Sequence, residues 1–152
     1  MKQTNAMTPD AINKSHAEFF PLLGDGNADQ PLVWRNGHAI SRADFLAHVL
    51  KLAAELPEAR YAINLCEDRY SFMVAFAAAL VAGQTNLLPH NRINAVVEDT
   101  AEQYPDSYCI VDEPIDELTL KQHVLDDVEH NGNHTQPAMP QIAAEHIPAI
   151  AF

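Results

Sequence analysis

Positive charge is scarce in this sequence: nine lysines and arginines stand against 21 aspartates and glutamates, for a formal net charge of −12. Phosphate backbones and anionic lipid surfaces are bound through a cationic face, so nucleic acid and anionic membrane are excluded as expected partners. Cysteine is nearly absent as well. Cys66 and Cys109 both lie in apolar, strand-like runs, which excludes a disulfide scaffold and predicts buried, reduced thiols. No run reaches the roughly 20 apolar residues of a membrane span. The longest uncharged apolar stretch, Ser71 to Leu88, is broken by Gly83, Gln84, Thr85 and Asn86. The opening MKQTNAMTPD lacks the apolar centre of a signal peptide, and a cytoplasmic protein is expected.

Motifs that carry chemistry are also missing. Gly24-Asp25-Gly26 has neither a third glycine nor a lysine and follows no suitable strand, so it reads as a surface turn rather than a phosphate loop. His130 and His134, with His123 and His146 further off, invite a metal reading. However, Asn131-Gly132-Asn133 breaks any helix between the first two, and no Glu or Cys stands at ligand spacing, so they read as solvated loop histidines. Glu67-Asp68 and Asp126-Asp127 are carboxylate neighbours whose side chains point apart on a helix, which suits capping and solvation better than acid–base work. Ser71 has no Gly-x-Ser-x-Gly setting. Trp34, the single tryptophan, reads as core beside a hairpin. No catalytic, cofactor-binding or metal residue is therefore assigned.

What is present is patterned hydrophobicity. The chain has 152 residues, 47% of them hydrophobic, which is enough for one domain with a real core. Its organising stretch is Arg60 to Pro89. Tyr61 to Cys66 is an apolar strand, Asp68 can cap a helix, Tyr70 to Ala82 is apolar all round as in a buried helix, and Gly83 ends it before Gln84 to Leu88 extends again. Strand, helix and strand at this spacing predict a βαβ unit with a parallel sheet.

Before that unit, Thr8-Pro9-Asp10 starts a predicted helix carrying Ile12, His16, Phe19, Phe20 and Leu23, and Gly24 to Pro31 is a loop. Asn36-Gly37 between two short β-prone runs predicts a hairpin with a primed turn. Ser41 to Asp44 resembles a capping box, followed by the stripe Phe45, Leu46, Val49, Leu50, Ala53 and Leu56 of an amphipathic helix. After the unit, Asn91 can cap a helix with Ile93, Val96, Val97, Ala101 and Tyr104 on one face, and Ser107 to Val111 is a strand. A weaker helix carrying Leu118, Leu125 and Val128 is expected after Pro114. The composition predicts an α/β unit over residues 1–128, a mobile loop over 129–141 and a final strand within 142–152.

The order and spacing of VWRNGHAISRADFLAHVLKLAAEL, YAINLCEDRYSFMVAFAAALVAGQTNLLPHNR and INAVVEDTAEQYPDSYCIVDE resemble the opening third of the AMP-forming acyl- and aryl-CoA synthetases, the adenylate-forming ligases. Phe72, Ala75, Phe76, Ala78, Ala82 and Gly83 match that family's F-x-x-A-F-x-A-x-x-x-A-G helix. Ser41, Pro89, Glu98-Asp99 and Val111-Asp112 match its neighbouring elements. Pro89-His90-Asn91-Arg92 departs from the more frequent Pro-Leu-Asn-Pro. The resemblance covers Leu32 to Glu113 and rests on structural residues.

It implies the N-terminal subdomain of an acyl-CoA synthetase-like fold: a mainly parallel sheet flanked by helices, with a short N-terminal β-hairpin. For the complete enzyme it implies ATP and magnesium, activation of a carboxylic acid to an acyl-adenylate, and transfer to the thiol of CoA or a carrier protein. The phosphate loop, the aromatic substrate pocket, the aspartate that holds the ribose and the small C-terminal domain with its catalytic lysine would then belong to the remainder of the ligase chain, beyond Phe152, leaving this part inactive alone and prone to self-association. The rival expectation is a free-standing, flavodoxin-like α/β ligand-binding or interaction module, with its site at the carboxyl ends of the parallel strands near Glu67 or Pro89.

Overall fold

The structure, a computed structural model, describes residues 17–126 and 137–152. Its centre is the strand β4 (Tyr61–Asn64), which pairs in parallel with β5 (Thr85–Leu88) on one side and β6 (Ser107–Val111) on the other. Parallel β7 (Gln122–Val124) and β9 (Ala149–Ala151) complete a five-stranded sheet of order β7-β6-β4-β5-β9. Alternate residues of β4 and β6 enter two different cores. Ala62, Tyr108 and Ile110 face the layer of α1 (Arg42–Glu55) and α2 (Arg69–Val81), whereas Ile63, Cys109 and Val111 meet Val97 of α3 (Asn94–Gln103). Burial on both faces explains why these strands read as unbroken apolar runs rather than as alternating ones.

Local signals act where the sequence places them. In the hairpin of β2 (Pro31–Arg35) and β3 (His38–Ser41), Asn36 and Gly37 have φ of 51° and 79°, the left-handed pair that a primed turn demands. The Ser41 hydroxyl oxygen accepts the Asp44 amide at 3.1 Å while the Asp44 carboxylate faces back to the Ser41 amide, closing the capping box of α1. Asp68 caps α2 by accepting the Ser71 amide at 2.9 Å, and Gly83 leaves that helix at φ 73°. Cys66 and Cys109 are buried and free, as expected.

Several expectations are corrected. Phe19 and Phe20 do not continue a helix. They lie in β1 (Phe19–Pro21), antiparallel to β8 (Gln141–Ala143), because Pro21 has no amide for a helix interior and the Leu22 amide donates instead to Pro140. Thr8, Ile12 and His16 lie outside the described residues. The helix expected after Pro114 is replaced by a turn and β7. Glu117 takes φ 63°, which ends any helix there, and Leu118 and Leu125 belong to opposite cores. Gln122 fixes that turn by holding both the amide and the carbonyl of Ile115, at 2.8 and 2.9 Å.

Asn91 is not the cap of α3. It stands two residues ahead of the capping position, where its carboxamide accepts the Ile93 amide, and Ile93 takes that position without a side-chain bond. Nor is α2 buried all round: Met73 is exposed, and Phe72, Phe76 and Leu80 are half-buried. Trp34 is not core but 70% exposed, since the two-stranded hairpin offers the α1 layer one face only, taken by Val33 and Ile40. Among the described residues no helix is long and apolar enough to cross a membrane.

Candidate functional site

The path from β4 through α2 to β5 moves to one side of the sheet. The path from β5 through α3 to β6 returns across β4 to the other. Strands whose connections part in this way leave a crevice at their carboxyl ends, where open parallel sheets bind ligands. A cleft of about 620 Å³ lies there, between the segment after β4 (Leu65, Glu67, Asp68, Ser71) and the segment after β6 (Asp112 to Ile115), with Arg35, Leu125 and Asp126 completing its wall. Glu67, where the rival reading places a site, is in this cleft; Pro89 does not line it.

The cleft is acidic and internally bonded. Glu67, Asp68, Asp112, Glu113 and Asp126 line it against one guanidinium, Arg35. Asp112 Oδ2 accepts the backbone amides of both Glu67 and Asp68, each at 2.7 Å. Those two amides lead into the amino end of α2, the natural anion site of such a fold, and the chain fills it with its own carboxylate. Asp68 accepts the Ser71 amide at 2.9 Å and the Ser71 hydroxyl at 3.0 Å, and it pairs with Arg35 at 3.3 Å. Burial alone would raise the Asp68 carboxyl. The Ser71 hydrogen bonds and Arg35 outweigh it and hold the group below the ordinary carboxylate range. Glu67 turns away to Arg92, at 2.7 Å, and Arg92 also donates to the Cys66 carbonyl.

Arg35 lies over the Tyr70 ring, 5.4 Å from its centroid, and the Tyr70 hydroxyl meets His48 Nδ1 at 2.5 Å. A polar line thus runs from the buried seam between α1 and α2 out to the cleft. The Cys66 thiol, just behind the cleft, is pushed up to about 12 by burial and by Asp112, against the opposing pull of Arg92, so it stays protonated and inert. Ser71 spends its hydroxyl proton on Asp68 and is not poised as a nucleophile.

The other residues weighed from the sequence lie apart from this cleft. The Gly24 carbonyl accepts from Arg42, and a side chain at Gly26 would crowd Arg42 and Gln30. His146 Nε2 lies 3.0 Å from the Gln84 carbonyl and His123 is in β7. Asp127, His130 and His134 lie outside the described residues, among which no group of three His, Cys, Asp or Glu side chains could hold a metal ion. From the sequence Asp112 reads only as a turn and a strand end, not as a site residue. Its signal would have been an acidic residue directly after a buried parallel strand beside the switch point.

No protein-family model, no curated protein and no solved structure matches this chain.

Proposed function

We propose that these residues are the N-terminal scaffold of an AMP-forming ligase, which activates a carboxylic acid with ATP and passes the acyl group to the thiol of CoA or a carrier protein. The observation that carries this reading is the placement of β9. It runs parallel to β5 with the Phe152 amide reaching the Leu88 carbonyl at 3.3 Å, so its carboxyl end emerges beside Leu88 and Pro89 at the ligand-binding rim of the sheet. A phosphate loop following such a strand would lie on that rim. The chain order supports the same reading: hairpin, capped α1, β4, α2 closed by Gly83, β5 ending before Pro89, α3 with Glu98-Asp99, and β6 ending at Val111 with Asp112 directly after it. The cleft between β4 and β6 does not fit the phosphates of ATP. Its amides are taken by Asp112, and its carboxylates would repel the phosphates. Nucleotide chemistry is therefore assigned to the remainder of the ligase chain, and this part supplies the sheet on which it is mounted.

The test is carboxylate-dependent ATP–pyrophosphate exchange, measured on the 152 residues and on the chain extended through the reading frame that follows them. Exchange by the extended chain alone is the expected result. Exchange by the 152 residues, or a frame that stops after Phe152, overturns the reading. One observation favours a second reading, a free-standing α/β ligand-binding or interaction module: the cleft stands at the switch point of a sheet that already has both faces covered.

A further inference from the structure

The bonds between β5 and β9 decide which backbone groups of β9 stay free. The Asn86 amide donates to the Pro148 carbonyl at 3.1 Å, and the Phe152 amide donates to the Leu88 carbonyl at 3.3 Å. Alternate residues of a parallel strand turn their groups to the same neighbour, so Pro148, Ile150 and Phe152 face β5. The amides and carbonyls of Ala149 and Ala151 point away from the sheet, where no other described strand pairs with them. Pro148 has no amide, but its carbonyl belongs to the β5 side and the free side is uninterrupted. The side chains alternate in the other sense. Ile150 joins the core under α3 and Phe152 meets the Tyr104 ring at 5.5 Å, while the two alanine methyls lie on the opposite face. The other border of the sheet, β7, is set between Lys121 and Asp126, charges of the kind that guard an open strand. β9 has no such guard.

We propose that this border binds β9 of a second copy, antiparallel about a two-fold axis through Ile150, so that two five-stranded sheets become one. Such an axis stands perpendicular to the sheet and keeps like faces together. Ala149 then lies opposite the second copy's Ala151, and Ala151 opposite its Ala149. Each of these pairs exchanges both of its N–H···O bonds, and every free group of the alanines finds a partner. Moving the axis to Ala149 would turn Ala151 onto Ile147, which is outside the strand and whose carbonyl already accepts the Thr85 hydroxyl at 2.8 Å. At the axis the two Ile150 residues form a non-hydrogen-bonded pair, the closer kind, with about 4.5 Å between their Cα atoms. Phe152, 43% exposed, comes to lie across from the second copy's Pro148 and gains cover. Each copy carries a net charge of −12, yet none of that charge falls within the paired strands. The free groups thus match themselves under the axis, which is what a second copy offers and an arbitrary strand does not. The inference depends on neither functional reading.

The experiment follows backbone amides of the 152-residue chain over a dilution series, beside its sedimentation equilibrium. The expected result is a monomer–dimer equilibrium in which hydrogen exchange at Ala149 and Ala151 slows by about tenfold or more on concentration, and at Ile150, already bonded to β5, far less. In a mixture of isotope-labelled and unlabelled chains, the Ile150 α-hydrogen is expected to contact its counterpart in the other copy. Ala149→Pro removes an outward amide and no bond to β5, and should raise the dissociation constant of the dimer about tenfold or more. A monomer at every concentration overturns the proposal. So does a dimer in which exchange at the two alanines is indifferent to concentration, or in which the contact between copies falls elsewhere. Should the proline variant fail to fold, the exchange pattern and the Ile150 contact of wild type decide by themselves.

Discussion

The Tyr108 hydroxyl donates to Gln84 Oε1 at 2.8 Å, and both side chains are buried. Gln84 spends its amide in turn on the Pro57 carbonyl at 2.7 Å, so one glutamine ties β6 to the chain leaving α1. Tyr108→Phe leaves that buried carboxamide oxygen unpaired. The expected cost is about 1–2 kcal/mol, read as a lower urea midpoint at unchanged m-value. A midpoint equal to wild type would show that the bond is not maintained in solution.

Asp112 is expected to matter more through the groups it satisfies than through its own charge. Asp112→Ala strands the amides of Glu67 and Asp68 and is expected to cost about 1–3 kcal/mol. The emptied amides regain their capacity for an anion, so inorganic phosphate is expected to raise the Tm of this variant while leaving wild type unmoved. Thermal melts across a phosphate series at constant ionic strength make the comparison.

The low Asp68 carboxyl sets a pH dependence of known sign. A carboxyl held below its unfolded value stabilises the fold fully above about pH 4 and loses that contribution as pH falls through the folded value. The Asp68 side chain is 40% exposed, so solvent screens its pairing with Arg35 and the effect is small. Asp68→Asn retains a capping oxygen but not the charge. The stability gap between wild type and variant is expected to close as pH drops from neutral to strongly acidic, in paired urea titrations.

Both thiols are expected to resist modification. Burial pushes Cys109 up to about 12, as burial and Asp112 do for Cys66, and neither thiol is exposed. A thiol reagent at neutral pH should label the native chain only as fast as it opens, then rapidly and at both positions in denaturant. Prompt labelling of either residue in the native chain would mean that the layer over β4 and β6 is loose.

Much of the fold was legible wherever a few adjacent residues decide the backbone. Asn36-Gly37, Ser41 with Asp44, Asp68 and Gly83 each act through contacts within four residues, and the runs YAINLC and SYCIV announce strands buried on both faces. The errors arise where distant chain decides. Phe19 and Phe20 follow a helical period, yet Gln141 to Ala143 recruits them into a strand. Leu118 and Leu125 are seven apart, as on a helix, but β7 takes its register from β6. Trp34 reads as core until the hairpin proves to have one covered face. The cleft was half visible: Glu67 follows from the rule about carboxyl ends of parallel strands, whereas Asp112 acquires its partners only because β6 lies beside β4, a neighbour relation no local pattern encodes.

Among the described residues β9 bonds to a neighbour along one flank only, and its Ala149-Ile150-Ala151 carries no charge, proline or bulge to discourage another strand. The sheet therefore has a direction in which it can still grow. Sedimentation of the 152-residue chain is expected to depend on concentration, and Ala151→Lys, at the exposed residue of that strand, should return it toward a single small species. A strand laid against this margin would be both cover and glue: the same hydrogen bonds that extend the sheet would silence any tendency to polymerise.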